Sequence, residues 1–151
     1  MNTTFNPLPL LGRILLALIF VLAGYNKLTG GVGSTVANMT SHGIPAASAL
    51  VYGAIAVELA GGLMLMIGLY ARWSALVLFV YMLTLAVIFH AYWAAPAAAM
   101  QAQHAFFYEH LSMMGGLLLV VAYGAGPLSV DQAFEHGVRH AGYPAGGHPA
   151  E

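Results

Sequence analysis

Of 151 residues, 60% are hydrophobic and 6% are charged, with a net charge of −1 and no cysteine. Soluble domains carry about 25% charged residues, so a chain this poor in charge cannot cover itself for water and belongs in a bilayer. The charge balance offers nucleic acid no basic surface, and the missing thiols exclude disulfide exchange, thiolate metal sites and iron–sulfur ligation.

The first stretch, MNTTFNPLPLLGR, lacks the basic region of a secretory signal, and the apolar run behind it is long enough to span. It is expected to remain as the first helix. Four segments reach spanning length, at about Leu8–Leu28, Ile44–Tyr70, Arg72–Trp93 and Ala105–Gly124. An isolated apolar run this long must satisfy its backbone within itself, so each is read as a helix. The fold expected is an all-α membrane protein, four transmembrane helices in an antiparallel bundle over residues 1–130. Thr29–Gly43 reads as a Gly/Ser/Thr-rich loop with a short interfacial helix at Gly33–Thr40, and Ala94–Gln103 as a second loop broken by Pro96. Tyr70–Arg72 is a tight turn. Residues 131–151 read as a polar tail expected to be disordered.

Four spans put both termini and the Tyr70–Arg72 turn on one face. That face carries Arg13, Arg72 and Arg139, and the other carries Lys27. The positive-inside rule therefore predicts an inner-membrane protein with both termini in the cytoplasm. Tyr25, Tyr92, Trp93, Phe106, Phe107 and Tyr108 gather at the outer boundary and Tyr70 and Trp73 at the inner one, as interfacial belts do. Gly61, Gly62, Gly68, Gly115 and Gly116 read as close-packing points between helices.

Polar residues inside the spans fall into two layers. Glu58, the single charge in the second span, must face other helices or a wet cavity rather than lipid. Arg13 lies about two turns inside the first helix, on the order of 10 Å from Glu58 along the axis. Side-chain reach and water nearly close that gap, as a structural ion pair or as a proton relay with Arg13 holding the Glu58 charge. The outer layer holds Lys27, His90, Trp93, Glu109 and His110, placed to meet around one pocket. The bland readings are an interfacial His90 bonded to a loop and a first-turn Glu109 favoured by the helix dipole. His90 and His110 share a depth, as two haem ligands would, but nothing else marks a haem pocket. A di-iron bundle needs four carboxylates and two Glu-x-x-His pairs, which this chain lacks, and no metal site is expected. The tail histidines His136, His140 and His148 read as solvated.

LLGRILLALIFVLAGYNKLTG, AVELAGGLMLMIGLYARWSAL, IFHAYWA and GGLLLVVAYGAGPLSVD, in that order from about Leu11 to Asp131, resemble the DoxX family of four-helix bacterial inner-membrane proteins. Carried over position by position, the resemblance implies Arg13, Lys27, Glu58, His90 and Trp93 as the polar set. Where such proteins often show a Lys-Asn pair, this chain has Glu109-His110. The resemblance also implies a link to respiratory or redox systems, since related DoxD-type subunits belong to a thiosulfate:quinone oxidoreductase.

The function expected is a subunit or accessory protein of a quinone-linked redox system, with no intrinsic cofactor and a bound quinone as its ligand. His90 with Glu109 or His110 would hold the quinone carbonyls, and Lys27 and Trp93 would complete the pocket. Glu58 and Arg13 would relay protons or stabilise charge. Besides membrane lipid, the partner expected is a redox subunit or a second copy of this chain. The alternatives are a non-catalytic assembly module, in which the polar layers are packing devices, and a small transporter with Glu58 as its ion site. Against transport, the first two helices do not resemble the last two in sequence.

Overall fold

The computed structural model describes residues 6–141. Four helical segments in it are long and apolar enough to cross a membrane, Leu8–Ser41, Ala47–Ile67, Ala71–Ala94 and Ala97–Tyr123, and no strand occurs among the described residues. The first comprises α1 (Leu8–Asn26), a kinked turn (Lys27–Gly31) broken at the non-helical Gly30, and α2 (Val32–Ser41). The second comprises α3 (Ala47–Ala56), a π turn (Val57–Gly61) and α4 (Gly62–Ile67). Then come α5 (Ala71–Phe89), a 3₁₀ turn (Tyr92–Ala94), α6 (Ala97–Tyr123) and α7 (Val130–Ala141).

The boundaries differ from the sequence reading in several places. The segment read as a loop over Thr29–Gly43 is helical through Ser41, with α2 covering the short helix expected at Gly33–Thr40, and the second span runs Ala47–Ile67 rather than Ile44–Tyr70. The last span begins at Ala97 rather than Ala105, because Pro96 stands immediately before the helix instead of inside a loop. A proline there leaves no interior hydrogen bond broken, and the Ala-rich run behind it has high helix propensity. The segment expected to be disordered from residue 131 starts as a helix to Ala141; residues 142–151 lie outside the described residues. Its apolar residues Val130, Ala133 and Phe134 recur at helical spacing, which the Gly and Pro punctuation around them obscured.

The core is thin, as small side chains and close helix approach make it in a membrane. Ala17 and Phe20 of α1, Leu65 of α4, Ala75, Leu78 and Met82 of α5, and Met114 and Leu117 of α6 form one buried cluster. A second, Met39 with Ala47, Val51, Ala54 and Ile55, packs α2 down on α3. Large apolar side chains elsewhere on the spans face outward, among them Leu15, Leu22, Val80 and Leu119. Lipid is their solvent.

The end of the bundle that carries the chain's start, the 68–70 turn and α7 is tied by polar contacts to the main chain. Arg13, buried, donates from Nε to the Met66 carbonyl at 3.3 Å and from its guanidinium to the carbonyls of Ala125 and Leu128. Met66 lies in the last turn of α4, where carbonyls lack helical partners and the dipole favours a cation. Arg72 does the same for α6, Nη1 donating to the Val121 carbonyl at 3.2 Å. Asp131 accepts from the amides of Tyr70 (2.7 Å) and Ala71 (2.9 Å) at the start of α5, and its own amide donates to the Gly68 carbonyl at 2.9 Å. Gly68 holds φ +72°, and a Cβ there would stand 2.5 Å from that of Ser129, so the turn admits no side chain.

Candidate functional site

The expected Arg13–Glu58 pair does not form. Arg13 is level with Met66, eight residues and about 12 Å along the helix from Glu58, and backbone carbonyls nearer to hand take its donors. Those acceptors are main-chain groups, which no pattern of side chains announces.

Glu58 is 2% exposed and is paired with the residue expected in the other layer. The Lys27 ammonium donates to both carboxylate oxygens, at 2.7 and 2.8 Å, and the Tyr81 hydroxyl donates to Oε1 at 2.6 Å. Helix geometry brings the three together. Glu58 lies in a π turn, whose one extra residue re-aims its side chain relative to a continuous α-helix, while Lys27 follows α1 in ordinary helical conformation, ahead of the kink at Gly30. Gly24 lets α1 approach closely enough that a Cβ would lie 3.1 Å from that of Glu58 and 2.8 Å from Leu59. Ser74 of α5 donates to the Gly61 carbonyl at 2.6 Å, satisfying an acceptor at the irregular turn. The arrangement is a fully bonded carboxylate held by side chains from three spans.

Lys27 and Tyr81 also border a cavity of about 200 Å³, lined besides by Thr35, Asn38, Met39, Ala54, Leu85, Phe89 and His90. Glu58 stands behind those two residues rather than on the wall. A cavity near 150 Å³ accepts benzene, so this one has room for one substituted six-membered ring. Its wall is mostly apolar on the α5 side, while α2 supplies an amide and a hydroxyl.

His90 closes the outer wall where α5 ends. Its Nδ1 is hydrogen-bonded to Gln103 Oε1 at 2.8 Å. The His110 ring lies 4.6 Å away, centre to centre, and its own Nδ1–H donates to the Phe106 carbonyl at 2.8 Å. The outer layer thus separates into distinct places. Lys27 and His90 border the cavity, and His110 stacks behind His90. Trp93, 59% exposed, packs on Tyr92 and Phe107 away from the cavity, and Glu109 is exposed on α6.

Sequence reasoning passed over Tyr81, Asn38 and Gln103. Tyr81 had a signal: a tyrosine in the middle of a span, away from both aromatic belts, needs a buried acceptor for its hydroxyl. Asn38 and Gln103 had little, since both fall in segments that read as loops.

A bundle of four membrane-crossing segments with an ion pair buried beside a small cavity defines a multi-pass membrane protein with a polar site inside it. The comparisons place that class. The DoxX family model matches residues 8–91, more than half the chain. The chain is 32% identical over 123 residues to the inner membrane protein YphA of Escherichia coli K12, covering 82% of this chain and 87% of that one. It is also 32% identical over 123 residues to the inner membrane protein YqjF of the same organism, covering 82% and 88%. No solved structure gives a significant match. The chain belongs to the DoxX family, and it is a multi-pass inner-membrane protein.

Proposed function

We propose that this chain binds the head group of a quinone in the cavity beside Lys27 and Tyr81, as the membrane subunit of a redox system whose electrons come from a partner protein. One observation carries the reading: Lys27 and Tyr81 both face the cavity and both end on the buried carboxylate of Glu58. A quinone ring fits the volume, and its carbonyls need donors. The Lys27 ammonium has a third proton not engaged by Glu58, and Asn38 offers an amide. His90, its Nδ1 engaged by Gln103, forms part of the outer wall. A reduced ring must gain protons with its electrons. Tyr81 and Lys27 stand where they can pass them on, with Glu58 behind as the group that takes up the charge. The excess of arginines at the α7 end supports placing that end in the cytoplasm, with the cavity toward the outer face.

Native mass spectrometry of the protein released from its own membrane tests this directly. A retained mass equal to a quinone, lost in Glu58→Gln and Tyr81→Phe variants that still fold, is the expected result. A retained partner chain with no small ligand would instead make the Lys27–Glu58–Tyr81 cluster a packing device of an assembly module. Complete loss of specific adducts from the native protein would count against the quinone reading outright.

A further inference from the structure

We infer that His90 and His110 form a two-histidine site for a late first-row divalent metal ion, with Cu(II) bound most tightly. This goes beyond the quinone reading and does not rest on it: His90 borders that cavity but His110 does not, and the pair is argued from its own contacts with Gln103 and Phe106.

Two imidazoles from different spans lie 4.6 Å apart, centre to centre, at an interplanar angle of 52°. Each has its Nδ1 hydrogen-bonded to an oxygen, Gln103 Oε1 for His90 and the Phe106 carbonyl for His110. Metal-ligating histidines are held in this way: the second nitrogen donates to an oxygen, which fixes the tautomer and leaves the first nitrogen's lone pair free. Both acceptors lie toward the start of α6 from His110, by one turn and by two. Among the described residues neither Nε2 has a hydrogen-bond partner, so both are open to an ion. Phe106, 5.3 Å from His90, backs the pair on the side of the acceptors.

The spacing selects the geometry. With metal–nitrogen bonds of about 2.0 Å, ligands on opposite sides of an ion would hold ring centres ~6 Å apart. At 4.6 Å the two nitrogens can only be neighbours in the coordination sphere. That disfavours linear Cu(I) and a haem iron clasped between two histidines, and suits tetragonal or tetrahedral sites completed by water. Among the described residues no third histidine or carboxylate joins the pair. Two nitrogens alone give modest affinity, and the divalent series then ranks Cu(II) first.

The test is Cu(II) titration of the full-length protein in detergent, purified without a histidine tag, with electron paramagnetic resonance of the bound ion. Background binding is removed by replacing the other five histidines, His42, His104, His136, His140 and His148, with alanine throughout. The expected result is one equivalent of bound Cu(II) with hyperfine structure from two imidazole nitrogens. Either His90→Gln or His110→Ala should abolish that signature, and Gln103→Leu should weaken binding ~10-fold by freeing the His90 tautomer. Circular dichroism confirms that each variant folds. Copper binding that is unchanged in the folded His90→Gln/His110→Ala double variant, or no specific binding by the parent, overturns the site.

Discussion

At the scale of residues, the structure turns on how one buried carboxylate is compensated. Glu58 accepts three hydrogen bonds, two from Lys27 and one from Tyr81, and no buried side-chain polar atom among the described residues lacks a partner. Removing one member of a buried pair is much worse than removing both, because the survivor keeps its desolvation cost without its counter-charge. Lys27→Met is therefore expected to destabilise the protein by about 3 kcal/mol, and Lys27→Met/Glu58→Leu to recover most of that loss. Thermal unfolding in a fixed detergent, run on the native protein and the three variants of the cycle, measures both. Equal losses from the single and the double variant would mean the pair is too well hydrated to matter. The sequence made Glu58 and Lys27 legible, since charges inside spans are few and conspicuous. It could not show that they belonged to each other, because their meeting depends on the phase of the π turn at Glu58 and on the close approach of the two helices at Gly24. Arg13 was legible as buried and misread as a partner, because its acceptors are carbonyls.

Elements bear on the site mainly through the π turn at Val57–Gly61. The hydrophobic run from Ala47 to Ile67 has the length of a span, and nothing in its composition distinguishes a continuous α-helix from one with an extra residue. That is why the four spans could be read from the sequence and the site geometry could not. Deleting Ala60, an exposed residue inside the turn, restores ordinary α-helical spacing. One residue is a rotation of about 100°, so everything on one side of the deletion turns relative to the other. Either Glu58 leaves Lys27 and Tyr81 or α4 leaves the core at Leu65. The bundle has more to lose from the second, since Leu65 packs in the main buried cluster. The deletion variant is expected to stay helical by circular dichroism while losing ligand retention and the stabilisation that Lys27 contributes. A deletion variant that retains both would show the π turn to be incidental to the site.

For the whole molecule, the polar ties at one end give a topology that can be checked chemically. Asp131 bonds the amides of Tyr70 and Ala71 while Arg13 bonds Ala125 and Leu128, so the chain's start, the α4–α5 turn and the base of α7 occupy one side of the bilayer. The α2–α3 connection, around Ser41 and Gly43, is then on the other side with Lys27. Because the native chain has no cysteine, single introduced thiols report sidedness without a background to remove. Ser41 and Glu135 are both exposed, and neither is needed by the site. With Arg13, Arg72 and Arg139 weighting the α7 end, a membrane-impermeant maleimide added to intact spheroplasts is expected to label Ser41→Cys and to spare Glu135→Cys until the membrane is opened. Reversal of the two would keep the fold and invert the orientation, putting the cavity toward the cytoplasm and any redox partner with it. Labelling of both from one side would contradict the fold, since the three spans between Ser41 and Glu135 must put them on opposite sides.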